Sequence, residues 1–225
     1  MRKRALLVTI VFFLLMIGLL FMPAGTVGWP AGWAFIAIFF GFNLLVVRML
    51  ARNDPALLEE RMSSPIQRDQ PLWDKVLVSV FLPLFVAWAI LMPLDAVRFG
   101  WSEEPVWLQV LGALGLLLSF YFVYLTFREN EYLTTVARLQ KERGQRVVRS
   151  GPYRYVRHPM YSGMLIFFPA TALLLGSWWG LLVSLVLMGL LVVRTVLEDW
   201  MLKKGLEGYT EYSRTVKYRL IPRVW

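Results

Sequence analysis

The chain has 225 residues, of which 58% are hydrophobic and 17% charged, and it carries a formal net charge of +9. A soluble domain, in which about 25% of residues are charged, has no way to cover so much apolar side chain with groups that water tolerates. The composition therefore indicates a membrane protein. The absence of cysteine and the presence of a single histidine, His158, exclude disulfides, thiolate metal sites, iron–sulfur clusters and multi-histidine metal centres.

Apolar runs of membrane-spanning length occupy the first part of the chain, near residues 5–22, 31–50, 76–94 and 105–127. Each has roughly the 20 residues that a helix needs to cross the hydrocarbon layer. A further run, 159–193, is too long for one crossing, and small and aromatic residues typical of a membrane interface interrupt it at 176–180. We predict an all-α polytopic membrane protein with about six transmembrane helices, the last two forming a helical hairpin.

The positive charges indicate how these helices are oriented. All but one of the 24 Lys and Arg residues lie at the N-terminus, in 48–75, in 128–157 or after 193, and the exception is Arg98. Under the positive-inside rule both termini and the two basic loops are cytoplasmic, and we expect the membrane to be a bacterial inner membrane. The first apolar run is long for a signal peptide and lacks a small-residue cleavage site, so we expect it to be retained. Basic cytoplasmic loops require no nucleic-acid partner.

The distribution of polar residues indicates where the chemistry lies. No internal repeat or Gly/Ser linker divides the chain, so residues 1–225 are predicted to form one integral membrane domain. Residues 1–127 are interpreted as a four-helix membrane anchor. Residues 128–225 hold most of the polar side chains and are interpreted as the cofactor-binding and catalytic region, ending in a cytoplasmic helical segment.

The stretch GQRVVRSGPYRYVRHPMYSG, residues 144–163, is predicted to form the entrance of the fifth helix. Pro159 favours the first turn of a helix and keeps His158 extended before it. The free N–H groups of that turn and the neighbouring Arg157 favour an anion. Tyr161 offers a hydroxyl, and Gly163 leaves room for a flat group near the backbone. Alternatively, these residues only form an interfacial belt.

A second polar cluster lies at the end of the sixth predicted helix. Arg194 and Glu198 are four residues apart, a spacing that places them on one helix face. Arg194 follows an apolar run, and an ionisable residue at such depth usually faces a polar cavity or is paired. The alternative is that the helix simply leaves the membrane here. The amphipathic segment that follows, with Tyr209 and Tyr212, is predicted to lie at the interface.

The run GPYRYVRHPMYSG, followed by Arg194, Glu198, Asp199 and the YRLIP tail, resembles the isoprenylcysteine carboxyl methyltransferase family. The wider group includes membrane phospholipid N-methyltransferases. The resemblance covers roughly the last 80 residues, in motifs that are specific when they occur in this order. It implies that the chain binds S-adenosylmethionine in a cytoplasmic pocket and transfers the methyl group to a lipophilic acceptor from the membrane.

The resemblance also implies roles for individual residues. Cofactor binding is implied for Tyr153, Arg157, His158, Tyr161, Gly163, Glu198 and Asp199, and catalysis for Arg194 and Glu198. Asp199 departs from the second of the family's paired glutamates. An aspartate is one methylene shorter, so we expect the contact of that glutamate to be lost, shifted or bridged by water. Arg194 matches a position suggested to contact the acceptor, and no metal is implied.

The charges of S-adenosylmethionine fit these residues, with a basic helix entrance for its carboxylate and Glu198 for a cationic group. A carboxylate acceptor would need no general base, and Arg194 would orient it. An amine or phenol must lose a proton, for which His158 or Glu198 could be the base. Because the soluble portion is short, we expect a small isoprenoid, fatty or phospholipid-like acceptor, with membrane lipids around the protein.

Two other functions fit the same residues. Membrane reductases of the sterol-reductase type, which use NADPH, are similar in the C-terminal region and do not depend on a GxGxxG motif. A non-catalytic membrane scaffold or carrier would use the polar C-terminal region to dock a partner. Binding of S-adenosylmethionine or NADPH discriminates among the three.

Overall fold

The computed structural model describes residues 2–62, 66–67 and 69–225, with side chains from residue 7 onward, and these ranges contain helices but no strand. In chain order the helices are α1 (Arg2–Ala24), α2 (Pro30–Asn53), α3 (Pro55–Arg61), α4 (Leu72–Pro93), α5 (Val106–Glu129), α6 (Pro159–Leu175), α7 (Trp178–Gly205) and α8 (Tyr209–Thr215). A π-helical turn, Leu94–Arg98, continues α4. The N-terminal basic side chains and Arg68, which entered the charge argument, lie outside the described set.

The predicted all-helical membrane protein is confirmed. The helices α1, α2, α5 and α7, and α4 with its π-helical extension, are long and apolar enough to cross a bilayer. Helix α6 has 17 residues, which is near the lower limit for a crossing. The long helices expose many large apolar side chains, such as Leu15 at 66% and Leu185 at 59%. An apolar exterior of this kind suits lipid rather than water.

Local sequence signals form the hairpin of α6 and α7. Pro159 is the first residue of α6, as predicted, whereas His158 before it is neither helical nor extended, with φ −127° and ψ 64°. Gly176 ends α6 in the left-handed conformation with φ 76°, which glycine adopts without strain. The Ser177 side chain then caps α7 by accepting a hydrogen bond from the Gly180 N–H at 2.8 Å. The two helices are therefore separated at the break that the sequence predicted.

Helix α6 lies inside the bundle and packs on α5, α7, α2 and α4. Its closest approach is to α5, because a Cβ on Gly112 would lie 2.3 Å from the Leu174 backbone nitrogen. A Cβ on Gly115 would likewise lie 3.1 Å from the Cβ of Ala170. Small residues that let two backbones meet are a common device of membrane helix packing, and here they hold α6 in a fixed position.

A buried carboxylate joins α4 to the turn between α6 and α7. Asp95 is fully buried, and its Oδ2 accepts hydrogen bonds from Ser102 Oγ at 2.7 Å and Ser177 Oγ at 2.6 Å. Close by, both carboxyl oxygens of Glu104 are buried and have no hydrogen-bond partner among the described residues. Desolvation, helped by the charge of Asp95, raises the pKa of Glu104 to about 7.

Candidate active site

The entrance of α6 is closed by the C-terminal segment of the chain. The backbone N–H groups of Arg157 and His158 donate hydrogen bonds to the carbonyls of Tyr218 at 3.0 Å and Arg219 at 2.9 Å. The Ser162 hydroxyl donates to the Leu220 carbonyl at 2.6 Å. The tail that follows α8 is therefore held along the start of α6, and the backbone donors of Arg157 and His158 are used within the protein.

Asp199 is the centre of the charge network at this entrance. Its side chain is 1% exposed, and it forms a two-pronged ion pair with Arg157 through Nε at 2.7 Å and Nη2 at 3.1 Å. Arg219 Nε and Lys203 Nζ approach the same carboxylate at 3.3 Å and 3.2 Å. The Tyr209 hydroxyl donates to it at 3.0 Å. The residue that departs from the family pattern thus binds the helix entrance, α7, α8 and the tail together.

The predicted role of Arg157 as a partner for the cofactor carboxylate must be set against this network. Besides Asp199, Arg157 donates through Nη1 to the carbonyls of Val216 and Lys217 at 2.7 Å and 2.8 Å. Its side chain is 3% exposed. A guanidinium with its own carboxylate and two carbonyls is a structural cation, so its direct contact with a ligand stays a prediction.

Glu198, Tyr161 and His158 form a second group beside Asp199. The Tyr161 hydroxyl donates to Glu198 Oε2 at 2.5 Å, and His158 Nδ1 lies 3.9 Å from Glu198 Oε1. The rings of His158 and Tyr161 are stacked, with centroids 5.9 Å apart. His158 Nε2 lies 3.4 Å from Asp199 Oδ1. Because the Glu198 side chain is 22% exposed, its carboxylate is open to a ligand.

A polar pocket lies in front of this group. Its walls come from the start of α6, the end of α7, α8 and the connection between α5 and α6. Tyr153, Arg157, His158, Tyr161 and Glu198 line it, so five of the predicted site residues meet at one cavity. Apolar side chains of Val147, Met201, Leu202 and Leu206 complete the wall.

The tyrosines of the polar pocket are hydrogen-bond donors held in place by the fold. Tyr153 is buried, and its hydroxyl accepts a hydrogen bond from Asn130 Nδ2 at 2.6 Å. The Tyr212 hydroxyl donates to the Tyr153 carbonyl at 2.8 Å. Burial raises the pKa of Tyr153 and Tyr212, and burial with the charge of Asp199 raises that of Tyr209. All three hydroxyls therefore keep their protons at neutral pH.

Arg194 binds a carboxylate that the sequence reasoning missed. Its Nε and Nη2 donate to Asp74 Oδ1 at 2.8 Å and Oδ2 at 3.3 Å, and Nη2 also donates to the Thr135 carbonyl at 3.0 Å. Asp74 lies in the first turn of α4 and is fully buried. No hydrogen bond or ion pair joins Arg194 to Glu198 in the described residues, so the pairing of Arg194 is with α4 and not along α7.

An apolar chamber lies on the other side of Tyr161, between α4, α6 and α7. Its hydrocarbon wall consists of Leu77, Val78, Phe81, Met164, Phe168, Leu190 and Leu191. Arg194 and Arg61 are its charged residues. Tyr161, Met160 and Thr134 line both this chamber and the polar pocket, so the two cavities adjoin at these three residues.

Gly163, predicted to leave room for a cofactor, lies elsewhere. A Cβ at this position would be 2.8 Å from Val123 Cγ2 and 3.2 Å from the Ser119 carbonyl oxygen of α5. The Ser119 hydroxyl donates to the Gly163 carbonyl at 2.8 Å. Gly163 does not line the polar pocket. The contact with α5 explains the need for glycine, so the expected space for a flat ligand is occupied by a helix.

Comparison with known families gives one match. Residues 107–207 match the model of the phospholipid methyltransferase family. The match confirms the membrane methyltransferase group that the sequence motifs indicated. It spans α5, α6 and α7 and includes every predicted site residue, whereas Asp74, Arg61, α8 and the tail lie outside it. No curated protein sequence is significantly similar to the chain.

The apolar helices characterise an integral membrane protein, and residues 107–207 are similar to phospholipid methyltransferases. The match gives no support to a reductase or to a non-catalytic scaffold. Among the residues that the structure describes, no three His, Asp or Glu side chains gather as a metal site would require. The specific isoprenylcysteine family stays a prediction.

Proposed function

We propose that the protein transfers the methyl group of S-adenosylmethionine to a lipophilic acceptor at the cytoplasmic face of the membrane. The observation that supports this best is the meeting of a polar pocket and an apolar chamber at Tyr161, Met160 and Thr134. A reaction between a water-soluble donor and a lipid requires two such cavities in contact. The positive-inside distribution of charge supports the cytoplasmic orientation of the polar pocket and both termini.

The lining of the polar pocket suits the donor. Glu198 is partly exposed and offers a carboxylate to the ammonium or sulfonium of the ligand. The pocket's apolar side chains can cover an adenine ring, and the Tyr153 hydroxyl, which accepts a hydrogen bond from Asn130, can donate its own proton to a ribose or carboxylate oxygen. When bound, S-adenosylmethionine supplies an electrophilic methyl group whose bond to sulfur breaks with both electrons going to sulfur.

The residues of this chain would align the reactants and exclude water. The hydrogen bonds of Arg194 use Nε and Nη2, and Nη1 has no hydrogen-bond partner among the described residues. That nitrogen can orient an acceptor oxygen in the apolar chamber while Asp74 fixes the guanidinium. A carboxylate acceptor needs no base, and for an amine or phenol Glu198 or His158 would take the proton.

Binding of S-adenosylmethionine to purified protein in detergent, measured by calorimetry, tests the donor pocket. We expect the parent chain to bind and His158→Ala and Glu198→Gln to lose binding. The matched control is Glu207→Gln, at an exposed carboxylate two residues beyond the end of α7, which should bind as the parent does. Binding of NADPH in place of S-adenosylmethionine would instead support a reductase, and binding of neither would overturn the proposal.

Arg194 is tested by methyl transfer from labelled donor to a lipid extract. Arg194→Ala should abolish transfer while donor binding survives. Because this change leaves Asp74 buried without its cation, the double variant Asp74→Asn, Arg194→Gln serves as a second test with no unpaired charge. Loss of donor binding with normal residual turnover would contradict the role of Arg194.

A further inference from the structure

Arg61, the last residue of α3, is a cation in the apolar chamber that the proposed mechanism does not use. Its Nη1 donates to the Leu133 carbonyl at 3.1 Å, and its Cζ lies 4.4 Å from the centroid of the Phe127 ring. None of the ion pairs in the described part of the chain involves Arg61. The residues outside that part include no Asp or Glu, so the chain offers Arg61 no carboxylate.

The contrast with Arg194 in the same chamber shows why this matters. Arg194 is balanced by Asp74, whereas the Arg61 guanidinium contacts the Leu133 carbonyl and the Phe127 ring and has no carboxylate partner in the described residues. A guanidinium among apolar side chains is costly unless it is paired. Although burial lowers the pKa of Arg61 to about 10, the group is still protonated at neutral pH. Its positive charge is therefore available to an anion that is not part of the chain.

Two further observations place the anion and its apolar part. Thr135 also lines the chamber, and its buried Oγ1 has no hydrogen-bond partner in the described residues. A larger apolar groove, between α1, α2, α5 and α6, shares Arg61, Met160 and Met164 with the chamber. Arg61 thus lies where two cavities of hydrocarbon character meet, with an unused hydroxyl in one of them.

We infer that Arg61 binds the anionic headgroup of the lipophilic acceptor, assisted by the Thr135 hydroxyl, while the apolar chain of that acceptor lies in the chamber or the groove. The headgroup is a carboxylate or a phosphate, since both accept the paired hydrogen bonds of a guanidinium. The identification of this lipid as the methyl acceptor rests on the proposed function. The binding of an anionic amphiphile by Arg61 can be measured without turnover.

The test measures equilibrium binding of tritiated amphiphiles to the protein in neutral maltoside micelles, without S-adenosylmethionine. The probes are dodecyl phosphate, dodecanoate at pH 8 and, as the neutral probe of equal chain length, dodecanol, each corrected for protein-free micelles. Inorganic phosphate is added as a competitor to separate a headgroup site from a site for free phosphate. Binding of S-adenosylmethionine is measured on the same preparations.

We expect the parent to prefer at least one anionic probe over dodecanol by about tenfold or more, because dodecanol cannot form a charged hydrogen bond with Arg61. Arg61→Gln should abolish the preference while dodecanol binding stays, Arg61→Lys should retain part of it, and Thr135→Val should weaken it by a smaller factor. Arg52→Gln, at an exposed arginine of α2, is the matched control and should bind as the parent does. Which anionic probe is preferred identifies the headgroup.

The inference is overturned if the parent shows no preference for either anion, if Arg61→Gln keeps the preference, or if inorganic phosphate alone displaces dodecyl phosphate completely. Should Arg61→Gln fail to give a monodisperse protein, an unchanged preference in both Arg61→Lys and Thr135→Val would overturn it as well. An anionic preference that depends on Arg61, in a protein that does not bind S-adenosylmethionine, would support this inference and overturn the proposed methyl transfer.

Discussion

The hairpin of α6 and α7 has a buried carboxylate at each end, and the two carboxylates have different kinds of hydrogen-bond and ion-pair partners. Asp199, at the end with the polar pocket, has Arg157, Lys203, Arg219 and His158 around it. Asp95, at the turn between the helices, accepts from Ser102, Ser177 and the Trp179 N–H, and its Oδ1 has no partner among the described residues. One end is held by charge and the other by hydroxyls and close packing.

This difference concerns how each end of the hairpin is stabilised. The charges at Asp199 belong to three separate parts of the chain, namely the entrance of α6, the end of α7 and the tail, and their pairing holds the walls of the pocket together. At Asp95 the hydroxyls connect α4 to the start of α7, a task that a neutral acceptor could also perform. The end with the polar pocket is therefore stabilised mainly by ion pairs, and the end at the turn by hydrogen bonds and close packing.

The largest expected effect separates the two carboxylates directly. Asp199→Asn leaves Arg157 and its neighbours without an anion, so we expect the free energy of unfolding to fall by about 3–5 kcal/mol and binding of S-adenosylmethionine to be lost. Asp95→Asn breaks no ion pair, so we expect a loss of about 1 kcal/mol and unchanged donor binding. Denaturation in mixed micelles and calorimetry measure both. Equal effects of the two substitutions would contradict the comparison.

The second prediction concerns the packing of the turn end. Gly112→Ala places a methyl group 2.3 Å from the Leu174 nitrogen, so α5 and α6 must separate. We expect the protein to lose about 1–3 kcal/mol of stability. Gly189→Ala in α7 is the control, since open space surrounds that position, and helix propensity should make it neutral or slightly stabilising. A Gly112 variant as stable as the Gly189 variant would show that shape does not hold this end.

A smaller effect is expected from the hydroxyl of Tyr209. Tyr209→Phe removes one neutral donor from Asp199 while Arg157, Lys203 and Arg219 remain beside it. The expected cost is about 1 kcal/mol, with donor binding weakened by no more than about tenfold. Tyr155→Phe, at a side chain that is 68% exposed, provides the control. Complete loss of binding in Tyr209→Phe would mean that the hydroxyl touches the ligand itself.

The smallest effect is a pH dependence at the turn end. Folding raises the pKa of Glu104 from 4.5 to about 7, so the folded protein binds a proton that the unfolded chain has released. Its contribution to stability is complete below about pH 4.5 and is lost as the pH rises to about 7. The melting temperature of the parent relative to Glu104→Gln should therefore fall across this window and be constant above it. Glu103→Gln, at an exposed carboxylate, should leave the parent's profile unchanged.

The sequence predicted those features that depend on neighbours in the chain. Pro159 determined the start of α6, and the small residues at 176–177 determined the break before α7, because both act through the local backbone. The motif around His158 and the acids of α7 indicated the polar pocket, since the charges at the two sites have to compensate each other in a membrane. The assignment of residues 1–127 to an anchor remains a prediction.

The partners from distant elements could not be predicted. Asp74 meets Arg194 across 120 positions, and in the sequence it is simply an acid at the start of an apolar helix, where helix polarity alone would favour it. Its one available signal was that an arginine as deep as Arg194 requires an anion. The packing of Gly163 against α5 was equally hidden, because the position of that helix depends on tertiary contacts, and a cofactor contact of Gly163 stays a prediction.

Under the proposed function, the presence of two separate cavities that adjoin at Tyr161 has a kinetic consequence. Each reactant has its own cavity, one with a polar lining and one with an apolar lining. Neither reactant therefore has to pass through the cavity of the other to reach Tyr161. Either substrate can then bind first, and the two products can leave into different phases. Initial-rate patterns would be those of random-order addition, and inhibition by the demethylated donor would be competitive with the donor alone.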